Sequence, residues 1–275
     1  MSRRQINWMR TLLIIGLTCA LAGVRIIFSF YSVVDDDLAY SLSLLVERGI
    51  LESVIALFLA VVIARNTSLD DIKKALQSVK PQIVIASLFL VGGVITGILL
   101  QGSFQGLFQS YFEELSQVAE LIDSMPMYQQ TVFIFGNNSG VAVLSGIFAA
   151  FFPLVGALFP PFVMGLNGVI IGLAPGVYGL SWSYFLVAIL PHGILEIPAL
   201  VLASAVGLKF NISLLKAGIG YLFPPQGMSR GETFLREVKP GWFSLKLFAV
   251  IIPMLVVAAI IEIFVSTWIV EVLGI

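Results

Sequence analysis

The sequence predicts an all-α fold, a polytopic membrane bundle of about seven transmembrane helices. Three observations predict it. Of 275 residues 59% are hydrophobic and 11% charged, with mean hydropathy +1.02. Several apolar runs approach the roughly 20 residues that cross a bilayer. Thirteen of the fifteen Lys and Arg fall before the first apolar run or in alternate connecting segments.

Seven apolar stretches are read as helices, because lipid offers backbone polar groups no other partner: residues 11–33, 42–64, 82–100, 132–152, 161–174, 184–207 and 245–269. The first follows Arg3, Arg4 and Arg10 as a signal peptide would. It exceeds the ~7 to 15 apolar residues of such peptides and no small-residue cleavage site follows, so a retained helix is expected. Cys19 is the only cysteine, which excludes an internal disulfide and a Cys-based metal site within one chain.

Three basic residues precede the first stretch, four lie between Arg65 and Lys80, and six between Lys209 and Lys246. Segments 34–41, 101–131 and 175–183 contain none. The positive-inside rule therefore places the N-terminus in the cytoplasm and the C-terminus outside. The outer segments are acidic, with Asp35, Asp36 and Asp37 in one and Glu113, Glu114, Glu120 and Asp123 in another. In the second, Phe104, Leu107, Phe108, Tyr111, Phe112, Leu115, Val118 and Ile122 form one helical stripe. Anionic lipid repels such an acidic face, so a helix over 101–130 is expected to pack as a lid on its own bundle or on a partner.

The chain reads as a single membrane domain, 1–275. Its parts are a three-helix portion (1–100), the acidic helix (101–130), a core (131–208), a cytoplasmic loop (209–244) and a last helix (245–275). Ser68 to Asp71 and Ser229 to Glu232 have the spacing of capping boxes that open short cytoplasmic helices. Gly218-Ile219-Gly220 lacks the context and lysine of a phosphate loop. Neither a cofactor nor a nucleic-acid partner is expected.

Ionisable groups at membrane depth cost at least ~2.5 kcal/mol each and require an account. There are seven: Arg25, Glu47, Arg48, Glu52, His192, Glu196 and Glu262. A rise of ~1.5 Å per residue puts Arg25, Glu47, Arg48, His192 and Glu262 in the outer half, and Glu52 and Glu196 near mid-depth. Asn137 and Asn138 share the outer half, and Asn167 sits near the middle of the fifth helix. Arg48 can pair with Glu52, and Arg25 with Glu47 or Glu52. Four carboxylates against two guanidiniums leave a surplus that must be protonated, paired with the imidazole, or bound to a cation.

His192 and Glu196 stand four apart, on one helix face. They either hold a proton or cation or fasten helices together. A catalytic zinc is not expected, since the chain has one histidine in total and a metalloprotease motif uses two. Pro191 and Pro198 kink this helix and free carbonyls. Pro153, Pro160, Pro161 and Pro175 predict a tight hairpin or broken helices. Gly93 and Gly97, Gly136 and Gly140, and Gly168, Gly172 and Gly176 have the four-residue spacing of close helix contacts. "GNNSG" at 136–140 carries Ser139 at the depth of His192, as in a rhomboid-type protease, but Asn137 breaks that family's Gly-x-Ser-Gly.

"FGNNSGVAV", "GLNGVIIG" and "LPHGILEIPALVLASAVGL" together resemble the membrane core of the stage II sporulation protein M (SpoIIM) family over residues 131–208, with looser likeness to the end. The resemblance implies that Asn137, Asn138, Asn167, Gly168, His192, Gly193 and Glu196 are characteristic positions. It also implies a multi-pass protein like the family's namesake, which works with peptidoglycan hydrolases during engulfment in spore formers. Many relatives occur in organisms that do not sporulate.

The expectation is a non-enzymatic component of a cell-membrane complex that docks partners or remodels the envelope. Its partners would be the lipid bilayer and either further copies of itself or other membrane and envelope proteins. The alternatives are a proton- or cation-coupled transporter using Asn137, Asn138, Asn167, His192 and Glu196, and an intramembrane serine protease.

Overall fold

The computed structural model of the protein describes residues 12–20, 23, 49–148, 152 and 155–273, and every regular element among them is helical. Residues 12–20 are helical, with Ile14 buried in the core. Then come α1 (Ile50–Ala64), α2 (Leu69–Ser78), α3 (Lys80–Leu99), α4 (Gln101–Asp123), α5 (Met127–Gly146), α6 (Val155–Val177) and α7 (Trp182–Leu222). The chain continues through α8 (Arg230–Ser244), a 3-10 turn at Leu245–Leu247, α9 (Phe248–Ile261), a π-helical segment at Glu262–Ser266, and α10 (Thr267–Leu273).

Four helices among the described residues are long and apolar enough to cross a membrane: Lys80–Leu99, Gly156–Val177, Trp182–Leu222 and the continuous rod Arg230–Ile269. A fifth is added if α1 and α2, bent by 105° at their junction, count as one broken span. The stretch at 11–33 and the start of that at 42–64 lie largely outside the described residues, as do Arg25, Glu47 and Arg48. Helix α5 has the length of a span but is not among the four. Gln129, Gln130, Asn137 and Asn138 dilute its apolar character.

Both expected capping boxes form. The Ser68 hydroxyl oxygen accepts from the Asp71 amide, and the Asp71 carboxylate accepts from the Ser68 amide. Ser229 and Glu232 repeat this at α8. Pro81 both stops α2 and opens α3, since a proline in the first turn of a helix sacrifices no internal hydrogen bond.

Two expectations are corrected. The segment 209–244, expected to connect two spans and to hold one short helix, is mostly helical, because α7 runs on to Leu222 and α8 returns antiparallel along it. Lys209 and Lys216 do not end a helix, and no proline lies between Pro198 and Pro224. Apolar pairing sustains this overhang: Phe210 and Trp242 meet edge to face at 5.8 Å, and a Cβ on Gly241 would stand 2.8 Å from the Phe210 Cα. The prolines of α6 also leave it unbroken, for the helix passes through Pro160, Pro161 and Pro175. It is longer at both ends than the expected 161–174.

In lipid the hydrophobic effect cannot drive helices together, so close packing must. Gly93 faces Gly165 and Gly168 across α3 and α6, and Gly97 faces Gly172, so closely that an added Cβ at either would collide with backbone. The main core gathers Phe248, Ile251, Ile252 and Leu255 of α9 with Ala199, Ala203 and Val206 of α7, Val143 of α5, and Leu59 and Ile63 of α1.

The second and third basic segments meet at one end of the bundle, where the Lys246 ammonium donates to the Asp71 carboxylate at 2.5 Å and to the Asn66 carbonyl at 3.3 Å. Helix α4 packs elsewhere, against α6. Phe112, 3% exposed, clusters with Leu173, Ala174 and Phe185, and its ring meets Tyr178 at 5.8 Å. The lid thus closes on its own bundle.

Candidate functional site

Helix α7 carries His192 and Glu196 one turn apart on one face. Glu196 lies 13 residues from Lys209, and Glu262 lies 16 residues from Lys246. At ~1.5 Å per residue both carboxylates therefore stand about 20 to 24 Å from the basic end of the antiparallel rods. Equal depth on neighbouring helices brings them together. One ligand atom from each of His192, Glu196 and Glu262 lies within 4.8 Å of the other two, and all three residues are half-buried.

The π-helical segment presents Glu262 to this site. Its i to i+5 bond runs from the Thr267 amide to the Glu262 carbonyl, in place of the usual i to i+4 pattern. Such single-turn bulges re-aim side chains and recur at functional sites. Ser266, on the same segment, shares a hydrogen bond of 3.0 Å with Nδ1 of His192. The Ser266 contact occupies Nδ1, so Nε2 is the ring nitrogen left for a proton or an ion.

A third helix contributes Asn138. Its amide is a hydrogen-bond partner of the Glu196 carboxylate, so α5, α7 and the last rod all meet at this level. Among the described residues the ion pairs are Arg236 with Glu237 and Lys246 with Asp71. Neither involves Glu196 or Glu262.

Among the described residues, Glu52 is not part of this group. Asn167 spends its amide on the carbonyl of Val163, one turn back on α6, at 3.0 Å, while neighbouring Gly168 serves the contact with α3. Asn137 is exposed beside half-buried Asn138. Glu52 is buried in α1, next to Ser53, whose hydroxyl donates to the Val132 carbonyl at 3.0 Å. Gly193 is buried in α7.

Ser139 is fully buried, and its hydroxyl donates to the Gly136 carbonyl of its own helix at 3.1 Å. No hydrogen bond joins it to His192, whose serine partner is Ser266. Sequence reasoning missed Ser266 altogether and left Glu262 out of the cluster around His192 and Glu196. The signal was available, since Glu262 and Ser266 repeat the i, i+4 spacing of His192 and Glu196 at matching depth.

Chemically the site offers two carboxylates and an imidazole to a positive guest. The expectation of no metal rested on counting histidines, and that count does not register two glutamates brought from different helices.

A family model described as "Stage II sporulation protein M" matches residues 83–267, about two-thirds of the chain and every residue of this site. An uncharacterised protein of Methanocaldococcus jannaschii is 26% identical over 200 residues, covering 70% of this chain and 84% of the relative. No solved structure matches.

Proposed function

The chain belongs to the stage II sporulation protein M family, and from that membership we propose that it is a non-enzymatic, multi-pass cell-membrane protein that takes up a proton or cation at His192, Glu196 and Glu262. The observation that carries this is the meeting of two carboxylates and an imidazole within 4.8 Å. Uncompensated carboxylates at membrane depth are costly, and those that persist mark ion and proton pathways by default. The reading includes seven spans, with the N-terminus in the cytoplasm and the C-terminus outside, and the distribution of Lys and Arg supports it.

Reconstituted vesicles test it. With an imposed gradient, wild type is expected to carry protons or divalent cations, and Glu196→Gln to reduce the flux at least tenfold. Equal flux from wild type, Glu196→Gln and empty vesicles sinks the proposal.

A second reading, a component that docks partners in an envelope complex or in a homo-oligomer, is favoured by the overhang of α7 and α8. At 41 residues, α7 is about 60 Å long against a hydrocarbon core of about 30 Å. Its last turns and α8 carry Lys209, Lys216, Arg230, Arg236 and Lys239, a basic platform beyond the membrane. Co-purification in mild detergent that yields only a lone protomer counts against it.

A further inference from the structure

Three ligand atoms converge from two rods at His192, Glu196 and Glu262. First-row divalent ions bind imidazole nitrogen and carboxylate oxygen at about 2.0 to 2.2 Å, so three ligands sharing one ion stand about 3.3 to 3.8 Å from one another. The observed set lies within 4.8 Å, and turning the flexible glutamate side chains towards a shared ion closes the remaining gap of about 1 Å. We propose that this triad binds one divalent transition metal of the zinc or manganese class. The inference rests on the reading that the cluster takes up a cation, and it names the class of that cation.

With both carboxylates ionised, charge favours a divalent guest over a single monovalent one. Two carboxylates and a neutral imidazole carry two negative charges, and a divalent ion brings the site to neutrality. Sodium or potassium leaves one uncompensated charge at membrane depth, where each costs several kcal/mol or more. Ligand type decides against calcium and magnesium, which favour sites made wholly of oxygen, whereas imidazole with carboxylate suits zinc, manganese or iron.

The surroundings are those of a held metal ligand. A metal-bound histidine donates its other ring N–H to a neighbour that fixes its tautomer and orientation. Ser266 stands 3.0 Å from Nδ1 in that role, which commits Nε2 to the ion. Asn138 is a partner of the Glu196 carboxylate and orients it in the same way. Three protein ligands leave coordination positions open to water or to an exchanging group, as in catalytic or transport sites and unlike closed structural ones.

Zinc titration of protein purified without a polyhistidine tag and stripped with EDTA tests the proposal, with bound zinc counted per chain. One zinc per chain is expected in wild type and in Glu113→Gln on α4. His192→Gln and Glu262→Gln, checked for retained helicity and a single elution peak, are expected to weaken binding at least 100-fold. Ser266→Ala, which keeps all three ligands, is expected to retain the stoichiometry and lose about 10- to 100-fold in affinity.

Wild-type protein that binds no zinc overturns the inference, as does zinc retained by both His192→Gln and Glu262→Gln. Proton flux dependent on Glu196 in a protein that binds no zinc overturns it while leaving the proton reading intact. Zinc bound through the triad with no flux of any cation supports the inference and removes the transport reading.

Discussion

Nδ1 of His192 and Oγ of Ser266 lie 3.0 Å apart, which ties the middle of α7 to the π-helical segment of the last rod and sets which face of the imidazole meets the two glutamates. Orientation of the ring is the role this assigns to Ser266. If Ser266 or Ser139 were instead a nucleophile, an active-serine reagent would label the protein. No labelling is expected, and a signal that vanishes in Ser266→Ala or Ser139→Ala contradicts the non-enzymatic reading.

Glu196 and Glu262 repel each other when no cation separates them, because both carboxylates are half-buried at one depth. In EDTA, Glu262→Gln is therefore expected to raise the midpoint of thermal unfolding in detergent, while abolishing any stabilisation by added zinc. A lower midpoint in EDTA would mean that Glu262 is a structural hydrogen-bonding group.

Gly168 packs so closely on Leu90 and Val94 of α3 that an added Cβ collides with their backbone atoms, whereas a Cβ on Gly92 meets nothing within 4 Å. Gly168→Leu is expected to cost about 3 kcal/mol or prevent assembly, since neither helix backbone can yield. Gly92→Ala should be neutral or stabilising by up to about 1 kcal/mol. Equal tolerance of both would show that α3 and α6 are not in contact.

Lys246 donates to Asp71, and with the Ser68 amide it holds that carboxyl down from 3.8 to about 2. The folded value lies below the unfolded one. This contribution is therefore fully present above about pH 4 and lost as pH falls towards 2. Asp71→Asn is expected to cost about 1 kcal/mol at neutral pH, through the lost ion pair and capping contact, and to flatten the acid limb of the stability profile. Wild type and variant with identical acid limbs would contradict it.

Periodicity and charge placement made much of this architecture readable. The acidic stripe of α4, with Phe108, Phe112 and Leu115 on one side, announced a helix that packs on the bundle. Ser68 and Ser229 announced two helix starts. Spacing alone put His192 and Glu196 on one face. What the sequence did not disclose depends on tertiary register. Glu262 could be placed by depth in the outer half but not matched to His192 and Glu196, because its neighbour across the bundle is set by how the two rods align. The π-helical bulge that turns it inward has no local signature in "IEIFVS". Asn167, by contrast, looked like a member of the cluster by depth, but depth does not specify which way a helix faces, and its amide turned back to Val163.

X-ray absorption at the zinc edge of the metal-loaded, tag-free protein tests the central claim most directly, because the chain contains a single histidine. Any imidazole scattering must then come from His192. The account predicts nitrogen and oxygen neighbours at about 2.0 to 2.1 Å with an imidazole outer shell that disappears in His192→Gln. Zinc surrounded only by oxygen, with no imidazole signature in wild type, would contradict it.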